Sequence, residues 1–352
     1  MRHRHLTRRE LLLGTGATGA VLLGRTPVFG VEKELIANTY GGTWEAAHRA
    51  AIATPVEKKT GAKVTLVSIL AAELVARTKA AAGGRPPVDV ALVDDGPFLN
   101  AVKEGIFERL PLDKVPNAAR LFPKYRPAEP VFGVPNSASV VGIAYNAKRL
   151  KTPPVSWADL WKPEYKGRVG LNPPTSTLGT VALLSLAKLR GGDESNIEPG
   201  FEAVKSLLPS VGSIAPSPAS LQTLLERGEV DIAPLWHLNT LVLKYKGTGM
   251  EFVLPREGGI AGLAWFAVTK GANAELAIEY INQGLDPEAQ RLLAGPPSFL
   301  GPVVQGVSVA PELRGLVPAT PADLEKLIVL DWNKINLQRA DWINRWNREI
   351  KV

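Results

Sequence analysis

Hydrophobic and polar positions along the chain follow two periods in turn. Short apolar runs at Glu34–Tyr40, Val64–Ile69 and Val88–Val93 have strand length, and the last is continuous, as in a parallel strand buried on both faces. Between the first two, Trp44–Lys59 brings Trp44, Ala47, Ala51 and Val56 near one helical stripe, with Lys58 and Lys59 in the last turn and Gly61 as the stop. Ala71–Ala82 reads as a second helix closed by Gly83-Gly84. Strand–helix–strand–helix–strand in this order predicts an α/β fold with a parallel sheet and right-handed crossovers.

The alternation continues downstream. Ser139–Tyr145, Arg168–Leu171, Val230–Leu235 and Gly262–Val268 read as strands, and Thr177–Leu189, Leu221–Glu226 and Ala274–Gln283 as helices. Ser156-Trp157-Ala158-Asp159 has the form of a capping box, and Asp286-Pro287-Glu288 that of a helix start with Asp as N-cap. Pro321–Ile350 is expected to be largely helical, with Trp332, Trp342 and Trp346 as packing anchors.

Composition narrows the function. At 352 residues the chain has room for about two domains. Cysteine is absent, which removes disulfides, thiol nucleophiles and cysteine-based metal sites. The formal charge of +7 invites a nucleic-acid partner, yet residues 1–30 hold five arginines against Glu10 and no dense basic block follows. No nucleic-acid partner is therefore expected.

The N-terminal charge has another use. Arg8-Arg9 precede Leu11-Leu12-Leu13 and a Gly- and Ala-rich apolar run, the form of a secretory signal with a twin-arginine motif. Residues 1–30 are expected to be this signal, leaving a soluble periplasmic protein. Gly14-Thr15-Gly16-Ala17-Thr18-Gly19 matches a dinucleotide-binding pattern literally, but it lies inside the signal, with no strand before it.

Several segments, in order, resemble bacterial extracellular solute-binding proteins. They are Glu57-Lys58-Lys59-Thr60-Gly61-Ala62-Lys63-Val64, Val88-Asp89-Val90, Val141–Asn146, the run Ser156–Val169, and Ala277–Asn282 with Asp286–Gln290. The resemblance is to the branch of ABC-importer receptors that includes polyamine, ferric-iron and phosphonate binders. It implies a two-lobed type II periplasmic-binding fold, each lobe a mostly parallel sheet flanked by helices, with ligand in the cleft between. By analogy lobe one takes residues 31–136 and 260–303, and lobe two residues 137–259 and 304–352. The implied partners are a small-molecule ligand and a membrane permease, the implied state a monomer without cofactor.

Four places stand out as cleft candidates. Gly42, Thr43 and Trp44 follow the first strand and open a helix, where backbone N–H groups hold anions and an indole stacks on a ligand. Asp94 and Asp95 end the third strand; one of them is expected to cap the next helix, and either suits an amine. Thr175, Ser176 and Thr177 stand before a helix, whose positive end suits a carboxylate or phosphonate. Trp236 and His237 end another strand, and Trp265 lies in the strand re-entering lobe one.

What is missing points away from other ligands and from catalysis. The re-entry strand Gly262-Leu263-Ala264-Trp265 and the Thr175–Thr177 loop lack the acids by which the polyamine subgroup holds its ligand, and buried ammonium groups without them are costly. No two tyrosines are adjacent as in ferric binders, and beyond the signal His48 and His237 are the sole histidines. No GxSxG elbow or phosphate loop is present, so a binding protein, not an enzyme, is expected.

Overall fold

The computed structural model describes residues 33–81 and 84–351. The predicted signal with Arg8 and Arg9 lies outside them. The strands are β1 (Glu34–Thr39), β2 (Lys63–Ser68), β3 (Val90–Asp94), β4 (Val134–Asn146), β5 (Val169–Leu171), β6 (Val211–Ile214), β7 (Ile232–Trp236), β8 (Met250–Val253) and β9 (Ile260–Val268). They join in the order β2-β1-β3-β9-β4-β7-β5-β6, with β8 beside β4.

The expected parallel pairing holds at both ends of this path: β1 pairs in parallel with β2 and β3, and β5 with β6 and β7. The middle is antiparallel. One half of β4 runs against β9 from Val134 to Val141, and its other half against β7 from Val141 to Tyr145. A single 13-residue strand, buried almost throughout, therefore serves both ends of the molecule.

Two large cores lie on either side of that passage. The first gathers Leu35, Ile52, Val90, Leu92, Val134, Phe266 and Tyr280. The second gathers Ile143, Trp157, Val169, Leu184, Phe201, Leu235, Trp342 and Trp346. The alternate face of β3 sends Ala91 and Val93 into a third cluster with Phe98 and Ile106. The fold is the two-lobed α/β arrangement of periplasmic binding proteins.

Local signals act as read. Gly61 ends its helix in the left-handed conformation at φ 70°. Ser156 and Asp159 form the capping box, and the Asp286 carboxylate accepts from the N–H groups of Glu288 and Ala289. The Trp44 helix is longer than its periodicity indicated. It runs from Gly42 to Thr60, with a π-helical turn at Arg49–Ala53 that the apolar stripe does not encode. The C-terminal region is not one helix but two, Pro321–Glu325 and Trp332–Glu349. Between them Ile328 is drawn into extended pairing: its N–H donates to Gly259 and its carbonyl accepts from Ala261.

Candidate functional site

The carboxyl end of β3 meets the start of the helix that follows β5. Asp94, the last residue of β3, accepts at Oδ1 from the Tyr40 hydroxyl at 2.7 Å and at Oδ2 from the Thr177 hydroxyl at 2.7 Å. Tyr40 follows β1 and packs against the first and third clusters. Thr177 opens the Thr177–Leu189 helix, whose apolar positions fill the second core. The Asp94–Thr177 bond therefore spans the two halves. Crevices outside the carboxyl ends of such strands are where open α/β sheets bind ligands.

Asp94 occupies the N-cap position of the Asp95–Lys103 helix, but neither acid caps it as expected. The Asp94 carboxylate has turned to the two hydroxyls. That of Asp95 accepts from the Leu263 N–H and from the Trp265 indole N–H, each at 2.8 Å, and so fastens β9. Burial pushes both carboxyls up, that of Asp95 to about 7, against the pull of their hydrogen bonds. Burial and the nearby Asp94 likewise hold the Tyr40 phenol well above its usual range.

Aromatic rings line this place. Trp44 meets Tyr40 edge-on, with centroids 5.1 Å apart. Trp265 stacks on Phe98 at 4.5 Å and 7°. Trp236 is partly buried and touches both cores; it lies over Gly262, where a Cβ would come within 2.6 Å of its ring. Gly42 is exposed at φ 56°, but the close approach is at Gly41, where a Cβ would meet the Ser68 hydroxyl at 2.7 Å. Thr43 is half-buried beside Trp44.

The Thr175–Thr177 loop divides its work. The Ser176 hydroxyl caps the helix, accepting from the Gly179 N–H and donating to the Pro173 carbonyl. Thr177 reaches Asp94. Thr175 is exposed, and its carbonyl accepts from Arg339.

His237 is withdrawn from the ligand candidates. It is fully buried; its Nδ1 accepts from the Val140 N–H at 3.1 Å, and its Nε2–H donates to the Phe299 carbonyl at 2.9 Å. Both nitrogens are spent on backbone. Burial pushes its pKa down to about 4, so the ring is neutral.

Tyr40, Tyr125 and Arg339 are not among the candidates drawn from the sequence. Tyr125 is buried near Asp95, whose charge adds to burial in raising the phenol. Arg339 comes from the C-terminal helix and binds the loop before Thr177. Two surface hollows of about 350 and 410 Å³, lined by residues around Gly295 and around Leu110, share no residue with this cluster.

Comparison with known proteins agrees with the fold. The spermidine/putrescine-binding periplasmic protein of Salmonella typhimurium is 32% identical over 201 residues, covering 54% of this chain and 57% of that protein. The matched stretch thus spans just over half the length of that relative. The gamma-aminobutyric acid-binding protein of Pseudomonas aeruginosa is 26% identical over 317 residues, 83% of this chain and 84% of that one. An ABC transporter substrate-binding protein from Bradyrhizobium japonicum superposes with a TM-score of 0.76 at 23% identity, covering 91% of this chain and all of that one. Residues 85–336 match the family described as bacterial extracellular solute-binding protein, and the chain belongs to that family.

Proposed function

We propose that the protein is the periplasmic solute receptor of an ABC importer, that it performs no chemistry on its ligand, and that the ligand is a small polar molecule with an acidic end. The observation that carries this reading is the Asp94–Thr177 contact. It places a carboxylate from one half opposite a helix N-terminus from the other, with Trp44 against Tyr40 and Trp265 bonded to the adjacent Asp95. A ligand held there touches both halves, and cleft closure follows from that double contact. The names of the Salmonella and Pseudomonas relatives support capture of amines or amino acids. We also place the last passage between lobes at Ile328–Leu330, later than the expected boundary after residue 303, because Val304, Leu313, Val317, Leu324 and Leu327 pack in the first core.

A polyamine is the second reading, favoured by the Salmonella relative and by Asp94 itself. It is the weaker one, because the Pro174–Thr175 side of the cluster carries the Arg339 guanidinium and no acid.

A thermal-shift screen of the purified protein against small metabolites tests the proposal. A specific ligand at a hundredfold excess over its Kd stabilises by about 2.7 kcal/mol, and the same ligand is recovered unaltered after denaturation. Steady turnover of a bound compound, or no stabilisation by any metabolite, contradicts it.

A further inference from the structure

One charge interrupts the apolar stripe of the C-terminal helix. Trp332, Ile335, Trp342 and Trp346 are buried in the second core, and Arg339 holds the position between Ile335 and Trp342 that continues their spacing of three and four. A guanidinium on such a stripe has to find polar partners. Arg339 donates from Nε to the Pro174 carbonyl and from Nη2 to the Thr175 carbonyl, each at 3.1 Å. Of its five N–H donors, three remain beyond these two bonds. Asp94 lies near enough to counter the effect of burial on the guanidinium, yet accepts no hydrogen bond from it. This place thus has one fixed cation, Arg339, on the Thr177 side and two acids, Asp94 and Asp95, on the Tyr40 side.

We propose that Arg339 sets the charge selectivity of the cleft, binding the acid group of a ligand whose single amine meets Asp94 and rejecting the second ammonium of a diamine. This rests on the solute-receptor reading and adds the ligand class to it. A carboxylate matches the planar fork of a guanidinium, which stays charged at any physiological pH. An ammonium in the same place meets a like charge, the repulsive element that specificity often requires. The Asp94 carboxylate has about four lone-pair sites, of which Tyr40 and Thr177 take two, so an amine can join them.

A matched pair of probes tests this: 4-aminobutyrate and putrescine (1,4-diaminobutane) share an amine and similar length but carry opposite charge at the far end. Calorimetry is run on the native protein, Arg339→Gln and Arg339→Lys. The native protein is expected to prefer 4-aminobutyrate. Arg339→Gln should weaken that compound about 10- to 100-fold without weakening putrescine, while Arg339→Lys keeps the native order. If Arg339 only holds the Pro174–Thr175 loop, Arg339→Gln weakens both probes alike and leaves their ratio unchanged, which overturns the assignment. A native preference for putrescine overturns it too, and leaves the receptor function standing. So does the absence of heat with either probe in a protein that the metabolite screen shows to bind another solute. A screen that finds no ligand at all overturns the receptor reading itself.

Discussion

Replacing Asp95 by asparagine should remove a pH dependence that the fold carries. Burial raises the Asp95 carboxyl from 3.8 to about 7 even though it accepts two N–H bonds. At about 1.36 kcal/mol per unit, ionising the side chain costs about 4 kcal/mol more in the folded protein than in the unfolded chain. The folded pKa lies above the unfolded one, so this contribution is fully present below about pH 4 and is lost as pH rises through about 7. Asp95→Asn cannot ionise. Its amide oxygen can serve one of the Leu263 and Trp265 donors and leaves the other facing an NH2 group, at a cost of about 1–3 kcal/mol at every pH. Urea unfolding of both proteins between about pH 4 and about pH 8 gives the difference directly. His48 and His237, both held near 4 by burial, titrate in each protein and cancel. The native advantage over the variant should fall by about 4 kcal/mol across this range. A constant difference, or one that grows with pH, would refute the claim that burial of this carboxylate is what strains the site.

Three further outcomes are expected. His237→Leu leaves the Val140 N–H and the Phe299 carbonyl without their partner, so chemical denaturation should show a loss of about 1–3 kcal/mol for each group; an unchanged midpoint would return His237 to the ligand candidates. Gly262→Ala puts a methyl 2.6 Å from the Trp236 ring and should shift tryptophan fluorescence while destabilising by about 1–3 kcal/mol, whereas an unaltered spectrum would show that Trp236 does not lie there. Replacing Arg8 and Arg9 by lysine should hold the precursor in the cytoplasm, and normal export of that variant would rule out the twin-arginine reading.

The residues that were legible in the sequence are those with a local cause. Gly61, Ser156 and Asp286 act within a few residues of themselves, and the structure uses each as its spacing indicates. The helix Thr177–Leu189 has its predicted bounds because its apolar content and its Ser176 cap agree. The helices Glu198–Leu207 and His237–Tyr245 were not assigned. The second begins directly at the end of β7, so His237 reads as a strand-end ligand candidate, although both its ring nitrogens bond to backbone.

The candidate site was half legible for the same reason. Asp94 and Trp236 end strands, and Trp44 and Thr177 lie in the first turns of helices that follow strands, positions that sequence alternation locates. What Asp94 does there depends on Tyr40, 54 residues away, and on Thr177, 83 residues away. Neither separation leaves a periodic trace. Arg339 did leave one, as a charge on the stripe defined by Trp332, Ile335, Trp342 and Trp346. A long basic residue at a core position of an otherwise apolar face signals a polar partner from another element, here the carbonyls of Pro174 and Thr175.

The most direct test of the whole account is a crystal structure of the protein purified under mild conditions that leave a bound solute in place. Density for one small molecule in contact with both Asp94 and the Thr175–Thr177 loop, with Trp44 or Trp236 against it, is the predicted result. A solute bound elsewhere, with Thr177 still on Asp94 and no ligand between the two cores, would contradict the account at its centre.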